Sequence, residues 1–479
     1  MDKQLEVCPV RHQTIVNAHA IAIQAGAIAI SYQQLDNTLD GIAKQLLNLK
    51  LQTGDRLICI SENSLNLVLL QLACIRMGII FCPLNPRFSE QEIGQRIKIL
   101  NSAFIWLADK SKHPDLTSLA IDFDIAEGEI IAPEPLKIDA QKVSNIIFTS
   151  GSSGQPKAVM HCFSNHYYSA LASQTVIALQ AGDRYLLSLP LFHISGIATV
   201  MRTLIAGATL LLSSQRLGVT LLKREKVTHL SLVSTQLYRL LSKADFQAKT
   251  LPLKHLLLGG STFSERLLTE TRERGFVYHL SYGLSEMSSQ VATSTNSNKL
   301  QLLPDLQVKI VNNEIYLRGK MRFVGYYNGD LRSGRLPERQ WFASKDSGSL
   351  IGRQLIISGR KDRLIISGGE NIQAEELESV LLNFAYVKQA HVVAVTDPVF
   401  GERPAAFIDW VDGEVKQAQL KSYLQDKLTT YKRPIHYFIL PEQKSIKVSL
   451  QTLQVIAQAR HNKYLAKENL QQNRHLSDN

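Results

Sequence analysis

Cysteine and long apolar runs are both scarce in this sequence of 479 residues. The five cysteines are an odd number, with no C-x-x-C pair and no His/Cys cluster at metal-ligand spacing. Disulfides and a structural zinc site are therefore not expected, and the chain suits a reducing compartment such as the cytoplasm. The most apolar early stretch, residues 18–30, is broken by Gln24 and is too short to cross a bilayer. Met1–Val10 lacks the basic-then-apolar order of a signal peptide, so we expect no membrane insertion.

Acidic residues are outnumbered by basic ones. Lys and Arg total 53 and Asp and Glu total 42, which gives a formal net charge of +11. The excess is scattered, and no lysine–arginine run with interleaved aromatic residues is present, so we do not expect a nucleic-acid partner. Such a charge distribution suits an enzyme that handles anionic small molecules. The hydrophobic content of 45% excludes a largely disordered chain, and formation of a homo-oligomer is left open.

The chain does have a repeated alternation of strand-like and helix-like segments, which predicts an α/β fold. Arg56–Ser61 is typical of a buried strand, and Leu65–Met77 is typical of an apolar helix that follows it. Short strands and turns between Leu300 and Tyr327 indicate a small β subdomain.

A second change of character lies at Ser358–Arg363, where glycine and charge cluster and apolar residues are few. The residues beyond it have their own alternation of helices and strands, enough for a small α+β domain. We predict a large N-terminal domain over residues 1–360 and a small C-terminal domain over residues 361–479. The polar stretch from about Lys467 is expected to fray.

The sharpest motif is I-F-T-S-G-S-S-G-Q-P-K at Ile147–Lys157. Its glycines let backbone N–H groups turn toward a ligand, its hydroxyls donate hydrogen bonds, and its lysine adds a movable positive charge. These are the parts of a phosphate cradle, whereas a bare Gly/Ser loop would be a flexible turn. The spacing is not that of a Walker A loop, and no dinucleotide-binding G-x-G-x-x-G is present. The predicted phosphate-binding residues are Thr149, Ser150, Gly151, Ser152, Ser153, Gly154 and Lys157.

This loop resembles the phosphate-binding loop of the adenylate-forming superfamily, which includes acyl-CoA synthetases, luciferases and the adenylation domains of peptide synthetases. Six further segments resemble motifs of that superfamily in the same order: Leu84–Arg87, Leu189–Gly196, Leu258–Gly260, Ser281–Glu286, Trp341–Gly348 and Arg360–Asn371. The resemblance runs from about residue 30 to residue 450. Ala158 stands where glycine is usual, and S-K-D replaces T-G-D at Asp346, but neither change removes a charged or hydroxyl group that the mechanism needs.

The resemblance implies the adenylate-forming enzyme fold: a large N-terminal domain of α/β subdomains with a small β subdomain, and a small mobile C-terminal domain. It also implies ATP, Mg²⁺ and coenzyme A. A carboxylate attacks the α-phosphate of ATP, and the resulting acyl-adenylate then reacts with the CoA thiol. Glu286 is the candidate Mg²⁺ ligand, because a hard cation prefers carboxylate oxygen. The same glutamate could instead cap a helix that begins at Ser285.

The nucleotide would lie as it does in the superfamily, with adenine against Tyr282 and the ribose hydroxyls between an aspartate and an arginine. Glycines beside the ring would allow the backbone to approach. Beyond the phosphate loop, the implied ATP-binding residues are Gly259, Gly260, Ser281, Tyr282, Gly283, Ser285, Asp346 and Arg360.

The resemblance assigns the remaining roles to the C-terminal domain. Asp362 is the implied hinge, and the loop at Gly368 and Gly369 would line the channel for the pantetheine thiol. A lysine near the C-terminus should contact the carboxylate and the α-phosphate. The segment S-I-K-V-S-L lacks the usual glycine before this lysine and the usual arginine after it, so Lys447 is the candidate and Lys444 the reserve.

Four segments narrow the resemblance to one branch, the ligases that join CoA to 2-succinylbenzoate on the route to menaquinone or phylloquinone. These segments are Leu187–Gly196, Ser231–Leu241, Trp341–Asp346 and Ile366–Glu378. The substrate of that branch carries two carboxylates, and the one that is not activated needs a cation inside a mostly apolar pocket.

Arg202 is the candidate for that cation, nine residues after His193 in the sequence. A solvated helix arginine is an equally strong interpretation. His193 is a catalytic and substrate-binding candidate, as a gate of the acyl pocket or a hydrogen-bond partner of the acid. A packed core histidine is the alternative. The predicted polar lining is completed by Thr235, Ser288, Ser289 and Gln290.

Three other functions stay open at this point. The chain could ligate CoA to a fatty, aryl or other acid, or it could load a carrier protein supplied in trans, since no D-S-L-type attachment site is present. A catalytically inactive nucleotide-binding protein is the third, and Lys157, Glu286, Asp346 and Arg360 argue against it.

The altered lysine motif leads to a first prediction. Lys447→Ala should abolish adenylate formation and spare thioester formation from acyl-adenylate made beforehand, because the lysine acts on the first half-reaction. Pyrophosphate release and thioester yield measure the two steps separately. Lys444→Ala is the matched variant, and equal loss of both steps in Lys447→Ala would remove the lysine from this role.

Overall fold

The structure is a computed structural model that describes residues 5–125, 136–150, 156–442 and 449–477. The helices are α1 Pro9–Asn17, α2 Tyr32–Asn48, α3 Leu65–Met77, α4 Glu90–Leu100, α5 Phe163–Ile177, α6 Ile194–Ile205, α7 Val219–Arg224, α8 Ser234–Leu241, α9 Glu265–Glu273, α10 Ala374–Leu382, α11 Gln417–Lys427 and α12 Leu450–Ser477.

The strands up to the middle of the chain are β1 Ile21–Ala25, β2 Ile28–Ser31, β3 Arg56–Ile60, β4 Ile80–Leu84, β5 Phe104–Leu107, β6 Val143–Ser150, β7 Pro156–Cys162, β8 Arg184–Leu186, β9 Thr209–Leu212, β10 His229–Leu232, β11 His255–Leu258 and β12 Tyr278–Leu284. The later strands are β13 Ser289–Thr295, β14 Gln301–Leu302, β15 Leu306–Val311, β16 Glu314–Gly319, β17 Gly325–Tyr326, β18 Phe342–Ile351, β19 Gln354–Arg360, β20 Leu364–Ser367, β21 Glu370–Gln373, β22 Val387–Asp397, β23 Gly401–Trp410 and β24 His436–Ile439.

These strands form three sheets, and the predicted α/β fold with a small C-terminal domain is confirmed. The largest sheet has the order β15-β16-β18-β19-β14-β13-β12-β11-β10-β8-β9-β1-β2. A second sheet has the order β17-β7-β6-β4-β3-β5. The third contains strands from Leu364 onward, in the order β21-β20-β23-β22 with β24 beside β23. Helices pack on these sheets because both faces of the parallel strands are apolar.

The predicted strand and helix near residue 60 show how local sequence sets an element. β3 is followed by α3, whose bounds match the prediction. The Ser64 hydroxyl accepts a hydrogen bond from the Leu67 backbone N–H at the helix start, which satisfies one of the unpaired amide groups there. The helix is buried around most of its circumference, so its apolar run packs within the core rather than in a membrane.

Two further observations concern the chain ends and membrane-spanning potential. α12 extends from Leu450 to Ser477 and includes the polar stretch from about Lys467, whose fraying stays a prediction. Across the four described segments, no helix combines the length and hydropathy needed to cross a bilayer.

The candidate site lies at the carboxyl ends of the central parallel strands of the largest sheet. β8, β10, β11 and β12 run parallel, and Ser234, Gly259 and Ser285 come soon after three of these strand ends. Ligands bind at this edge of an open parallel sheet because loops there converge while the strands supply a rigid support.

A row of histidines crosses the opposite ends of the same strands. His255 and His279 are joined by a ring nitrogen hydrogen bond of 2.8 Å, and the His229 Nε2–H donates to the Ile177 carbonyl at 2.8 Å. Burial lowers the pKa of His229 and of His279 to about 4 and also lowers the pKa of His255. The rings are therefore neutral in the folded protein at pH 7.

Acid should destabilise the fold through this row. Unfolded histidines take up protons below about pH 6.5, while the folded His229 and His279 rings stay neutral down to about pH 4. The unfolded state then binds more protons, so the free energy of unfolding falls as the pH drops through this window. In urea unfolding at pH 7.5, 6 and 5, His279→Gln should reduce the pH dependence and the exposed His19→Gln should not. Equal pH dependence in His279→Gln and the parent would contradict this.

Candidate active site

The predicted phosphate loop is the connection of a β-hairpin. β6 and β7 pair in antiparallel register, with Thr149 opposite Lys157 and Ser150 opposite Pro156. The hairpin places Lys157 beside the start of the loop, as a phosphate cradle requires. Gly151, Ser152, Ser153 and Gly154 lie outside the described residues.

The metal candidate Glu286 lies in a 3₁₀ turn, Ser285–Met287, at the end of β12. The peptide groups on both sides of this residue are fixed by hydrogen bonds. The Glu286 carbonyl accepts from the Phe323 backbone N–H at 2.8 Å, and the Ser285 carbonyl accepts from the His161 Nε2–H at 2.6 Å. Burial lowers the pKa of His161 to about 4, so the ring is neutral at pH 7.

The Glu286 side chain is half-buried and bonds to a tyrosine whose ring lies close to a lysine. Its Oε1 accepts a hydrogen bond of 2.8 Å from the Tyr326 hydroxyl, and the Lys157 Nζ lies 5.1 Å from the centre of the Tyr326 ring. Among the described residues no group of three His, Cys, Asp or Glu side chains could hold a metal by itself. A single carboxylate suits Mg²⁺, which is usually bound by one or two carboxylates together with substrate phosphates.

The ribose candidates form a chain of hydrogen bonds across three strands. Asp346 on β18 accepts from the Tyr282 hydroxyl and, at 3.2 Å, from Arg360 on β19. Arg360 also donates two bonds of 2.8 Å to the hinge candidate Asp362. Burial raises the pKa of Asp346 despite these donors, whereas the guanidinium holds the pKa of Asp362 below its usual range.

The adenine candidates lie on neighbouring strand ends. Gly259 follows β11, and a Cβ on it would lie 3.4 Å from the Ser281 carbonyl oxygen of β12, so the two backbones are in contact. At Gly283 a side chain is excluded, because a Cβ would lie 1.8 Å from the Ser289 carbonyl oxygen. Gly260 is exposed after β11. Gly259 therefore lies beside β12, the strand that carries Tyr282 and Gly283.

Arg202 is buried inside α6, so the interpretation as a solvated helix arginine does not hold. Its side chain is among the largest fully buried ones, with 2% of the residue exposed. Nη2 donates to the Ser289 hydroxyl at 2.9 Å, and Nε has no partner among the described residues. Burial lowers the pKa of Arg202, and the Tyr185 hydroxyl offsets part of that effect. No carboxylate of the described chain forms an ion pair with this guanidinium.

The other acyl-pocket candidates differ from one another in burial and in hydrogen bonding. His193 precedes α6 and its ring lies 4.9 Å from that of Phe192, edge to face. Thr235 is half-buried in the first turn of α8. Gln290 is buried with its side-chain oxygen unpartnered among the described residues. Ser288 differs from the expected lining, because its fully buried hydroxyl donates to the Met321 carbonyl at 2.8 Å.

The C-terminal candidates are only partly within the described residues. Asp362 lies in the 3₁₀ turn Lys361–Arg363, between the largest sheet and the third sheet. Gly368 and Gly369 form the turn from β20 to β21, and the Gly368 N–H donates to the Phe400 carbonyl at 2.8 Å. Lys444 and Lys447 lie outside the described residues.

Sequence reasoning missed Tyr326, His161 and Tyr185. The hydroxyl of Tyr326 reaches Glu286 and the ring of His161 reaches the preceding carbonyl. Tyr185 bonds to Ser231 at 2.7 Å and lies beside Arg202. Of the three, only Tyr326 lies in a recognisable sequence pattern, the G-Y-Y-N turn shortly before the ribose motif. Its hydrogen bond to Glu286 depends on the pairing of β17 with β7, which the sequence pattern does not show.

Two family profiles match the chain. The AMP-binding enzyme profile matches residues 10–327, and the AMP-binding enzyme C-terminal domain matches residues 376–447. The chain belongs to the AMP-binding enzyme family. The predicted membership of the adenylate-forming superfamily is therefore confirmed.

Within this family, the chain is similar to curated 2-succinylbenzoate–CoA ligases and to their solved structures. The 2-succinylbenzoate–CoA ligase of Escherichia coli (strain K12) is 32% identical over 93% of this chain and 97% of its own length. The ligase of the same name from Bacillus subtilis (strain 168) is 29% identical over 86% of this chain and 89% of its own length.

A variant of E. coli MenE with bound OSB-AMS has a TM-score of 0.83 and 31% identity, covering 94% of this chain and 98% of its own. The o-succinylbenzoate CoA synthetase of Bacillus subtilis, in complex with ATP and magnesium ion, has a TM-score of 0.82 and 27% identity, covering 94% and 99%.

The ribose chain gives a prediction. Asp346→Asn should raise the KM for ATP about tenfold, because an acceptor that bears charge is lost from the ribose hydroxyls. The KM for the acid should stay the same, since Asp346 bonds to Tyr282 and Arg360 rather than to the residues around Arg202. Steady-state pyrophosphate release measures both constants. The exposed Asp330→Asn is the control, and an unchanged KM for ATP in Asp346→Asn would exclude the ribose role.

Proposed function

We propose that this protein ligates coenzyme A to 2-succinylbenzoate in an ATP- and Mg²⁺-dependent reaction that releases AMP and pyrophosphate. The observation that carries the choice of acid is the buried Arg202, which has no carboxylate partner among the described residues. The ordered nucleotide motifs, the hydrogen-bonded ribose chain and the similarity to 2-succinylbenzoate–CoA ligases support the same reaction.

The electrostatics of Arg202 favour a substrate with a second carboxylate. A guanidinium taken out of water loses several kcal/mol of hydration unless a partner compensates. Within the chain, Ser289 and Tyr185 supply only neutral oxygens. A ligand carboxylate would give a charge-assisted hydrogen bond in a water-poor setting, where such bonds are strongest. 2-Succinylbenzoate has one carboxylate to activate and one to pair with this cation.

In the first half-reaction an oxygen of the activated carboxylate attacks the α-phosphorus of ATP, and the bond to the pyrophosphate oxygen breaks. Lys157 and the phosphate hairpin would hold the departing phosphates, and Asp346 and Arg360 would hold the ribose. Glu286 is the residue that would hold Mg²⁺, which when bound neutralises charge on the phosphate oxygens. Fixing the ATP in this way removes most of the orientational cost of the attack.

In the second half-reaction the CoA thiol loses its proton and its sulfur attacks the acyl carbonyl carbon, and AMP leaves. We propose that residues 361–479 form the C-terminal domain that moves about Asp362, and that Gly368 and Gly369 line the thiol channel. Lys447 would act in the first half-reaction from this domain. His193 would gate the acyl pocket. The five buried cysteine thiols fit a cytoplasmic location.

The deciding experiment is pyrophosphate release with ATP, Mg²⁺ and CoA against a panel of acids, with each thioester confirmed by mass. The panel holds 2-succinylbenzoate, benzoate, a cinnamate, a medium-chain fatty acid and a long-chain fatty acid. Strong preference for 2-succinylbenzoate supports the proposal. Preference for another acid retains the ligase and discards this substrate. No turnover with any acid would favour carrier-protein loading or a catalytically inactive protein.

Arg202 provides a sharper test. Arg202→Leu should raise the KM for 2-succinylbenzoate about a hundredfold, because the distal carboxylate would be buried without a partner. The KM for ATP should change little, and turnover of benzoate should not fall. Initial-rate kinetics with both acids measure the effect, with the exposed Arg239→Leu as control. An unchanged KM for 2-succinylbenzoate would remove Arg202 from the site.

A further inference from the structure

Tyr326 lies between two residues that the proposed function places at the ATP phosphates. Its hydroxyl donates to Glu286 Oε1 at 2.8 Å, and its ring centre lies 5.1 Å from the Lys157 Nζ. One side chain thus contacts both the candidate metal ligand and the phosphate lysine. No motif in the sequence assigns it a role there.

The position of Tyr326 is fixed by its surroundings. β17 pairs with β7 in antiparallel register, Tyr326 opposite Val159, only two residues from Lys157. The fully buried Phe323 packs its ring 4.9 Å from that of Tyr326, edge to face. Gly325 has φ of +154° and a Cβ there would lie 1.9 Å from the Gly334 carbonyl oxygen, so the backbone before Tyr326 closely approaches the neighbouring loop. The tyrosine ring therefore has little freedom to move.

The backbone of Glu286 is fixed as well, which leaves only its side-chain torsions free. His161 holds the carbonyl before it and the Phe323 N–H holds its own carbonyl. A half-buried glutamate with free torsions would sample several rotamers, and ordering them costs free energy each time a ligand binds. The Tyr326 hydroxyl selects one of these rotamers by engaging Oε1, and Oε2 receives no hydrogen bond from Tyr326.

The Tyr326 hydroxyl is an uncharged donor, and its hydrogen bond to Glu286 Oε1 is 2.8 Å long. A neutral donor orients the carboxylate and leaves its charge in place, whereas a cation in the same position would neutralise that charge. On the ring face the Lys157 ammonium lies 5.1 Å from the ring centre and is attracted to the π-electrons.

We propose that Tyr326 is a positioning residue for the adenylation half-reaction, which holds the Glu286 carboxylate in one rotamer through its hydroxyl and supports Lys157 through its ring. This inference rests on the proposed function, because it takes Glu286 and Lys157 as the phosphate-side groups. It separates two contributions of one side chain that substitution can test independently.

The test compares three variants of the full-length protein. Tyr326→Phe removes the hydroxyl and keeps the ring, and Tyr326→Leu removes both. Tyr327→Phe is the matched control, since it makes the same chemical change one residue later, where the hydroxyl donates to the Gly329 carbonyl at 3.2 Å. ATP–pyrophosphate exchange measures adenylation over a range of Mg²⁺ concentrations. Thioester formation from acyl-adenylate prepared beforehand measures the second half-reaction.

Tyr326→Phe should raise the Mg²⁺ concentration for half-maximal exchange about tenfold, the scale of one hydrogen bond to a charged group. Its KM for the acid and its thioester rate should stay within about twofold of the parent. Tyr326→Leu should in addition raise the KM for ATP, since Lys157 loses the ring beneath it. The intact thioester rate shows that each variant is folded.

Three outcomes would overturn the proposal: an unchanged Mg²⁺ dependence in Tyr326→Phe, an equal loss of both half-reactions, or the same shift in Tyr327→Phe. The test does not depend on the identity of the acid, because the exchange can be run with whichever acid the parent adenylates. A parent that is inactive with 2-succinylbenzoate but active with another acid would overturn the proposed substrate and leave the comparison of the Tyr326 variants valid.

Discussion

The guanidinium of Arg360 is shared by two carboxylates that belong to different parts of the proposed reaction. It donates twice to Asp362 and once to Asp346, which also accepts from Tyr282. One arginine has five N–H donors in a fixed plane, so a movement of either carboxylate changes the geometry available to the other. The candidate ribose end of the site and the proposed hinge are therefore connected through a single side chain.

The hydrogen bonds around Asp346 also explain how its charge can be buried. Asp346 is 6% exposed, and its hydrogen bonds to a phenol and a guanidinium replace part of the water that it loses. Arg202 has no such compensation from an acidic group of the described chain. The candidate site thus contains one buried charge with two hydrogen-bond donors at the proposed ribose end and one buried charge with no acidic partner among the described residues at the proposed acyl end. This asymmetry suits a ligand with an extra negative group at its acyl end.

Features that depend on residues close together in the sequence could be predicted from the sequence. The hairpin around Thr149 and Lys157 and the helix Leu65–Met77 depend on neighbours a few residues away. Arg202 was different: nine residues from His193 it could equally face water, and only the packing of α6 decided that it is buried. The buried hydroxyl of Ser288 was not predicted either. This residue adopts a left-handed backbone with φ of +53°, which no local sequence pattern indicates. The hydrogen bonds of Tyr326 to Glu286 and of His161 to Ser285 join segments that are distant in the sequence. Composition and residue spacing do not predict such contacts.

The pairing of β17 with β7 also has a consequence for the order in which the protein is made. It joins strands about 170 residues apart in the chain, and a ribosome adds roughly 5–20 residues each second. The hairpin with Lys157 emerges many seconds before the strand that carries Tyr326, and Asp346 and Arg360 follow later still. A nascent chain that ends before residue 325 contains the phosphate loop and Glu286 without the tyrosine that joins them. The candidate nucleotide site is therefore completed only after most of the chain has been synthesised.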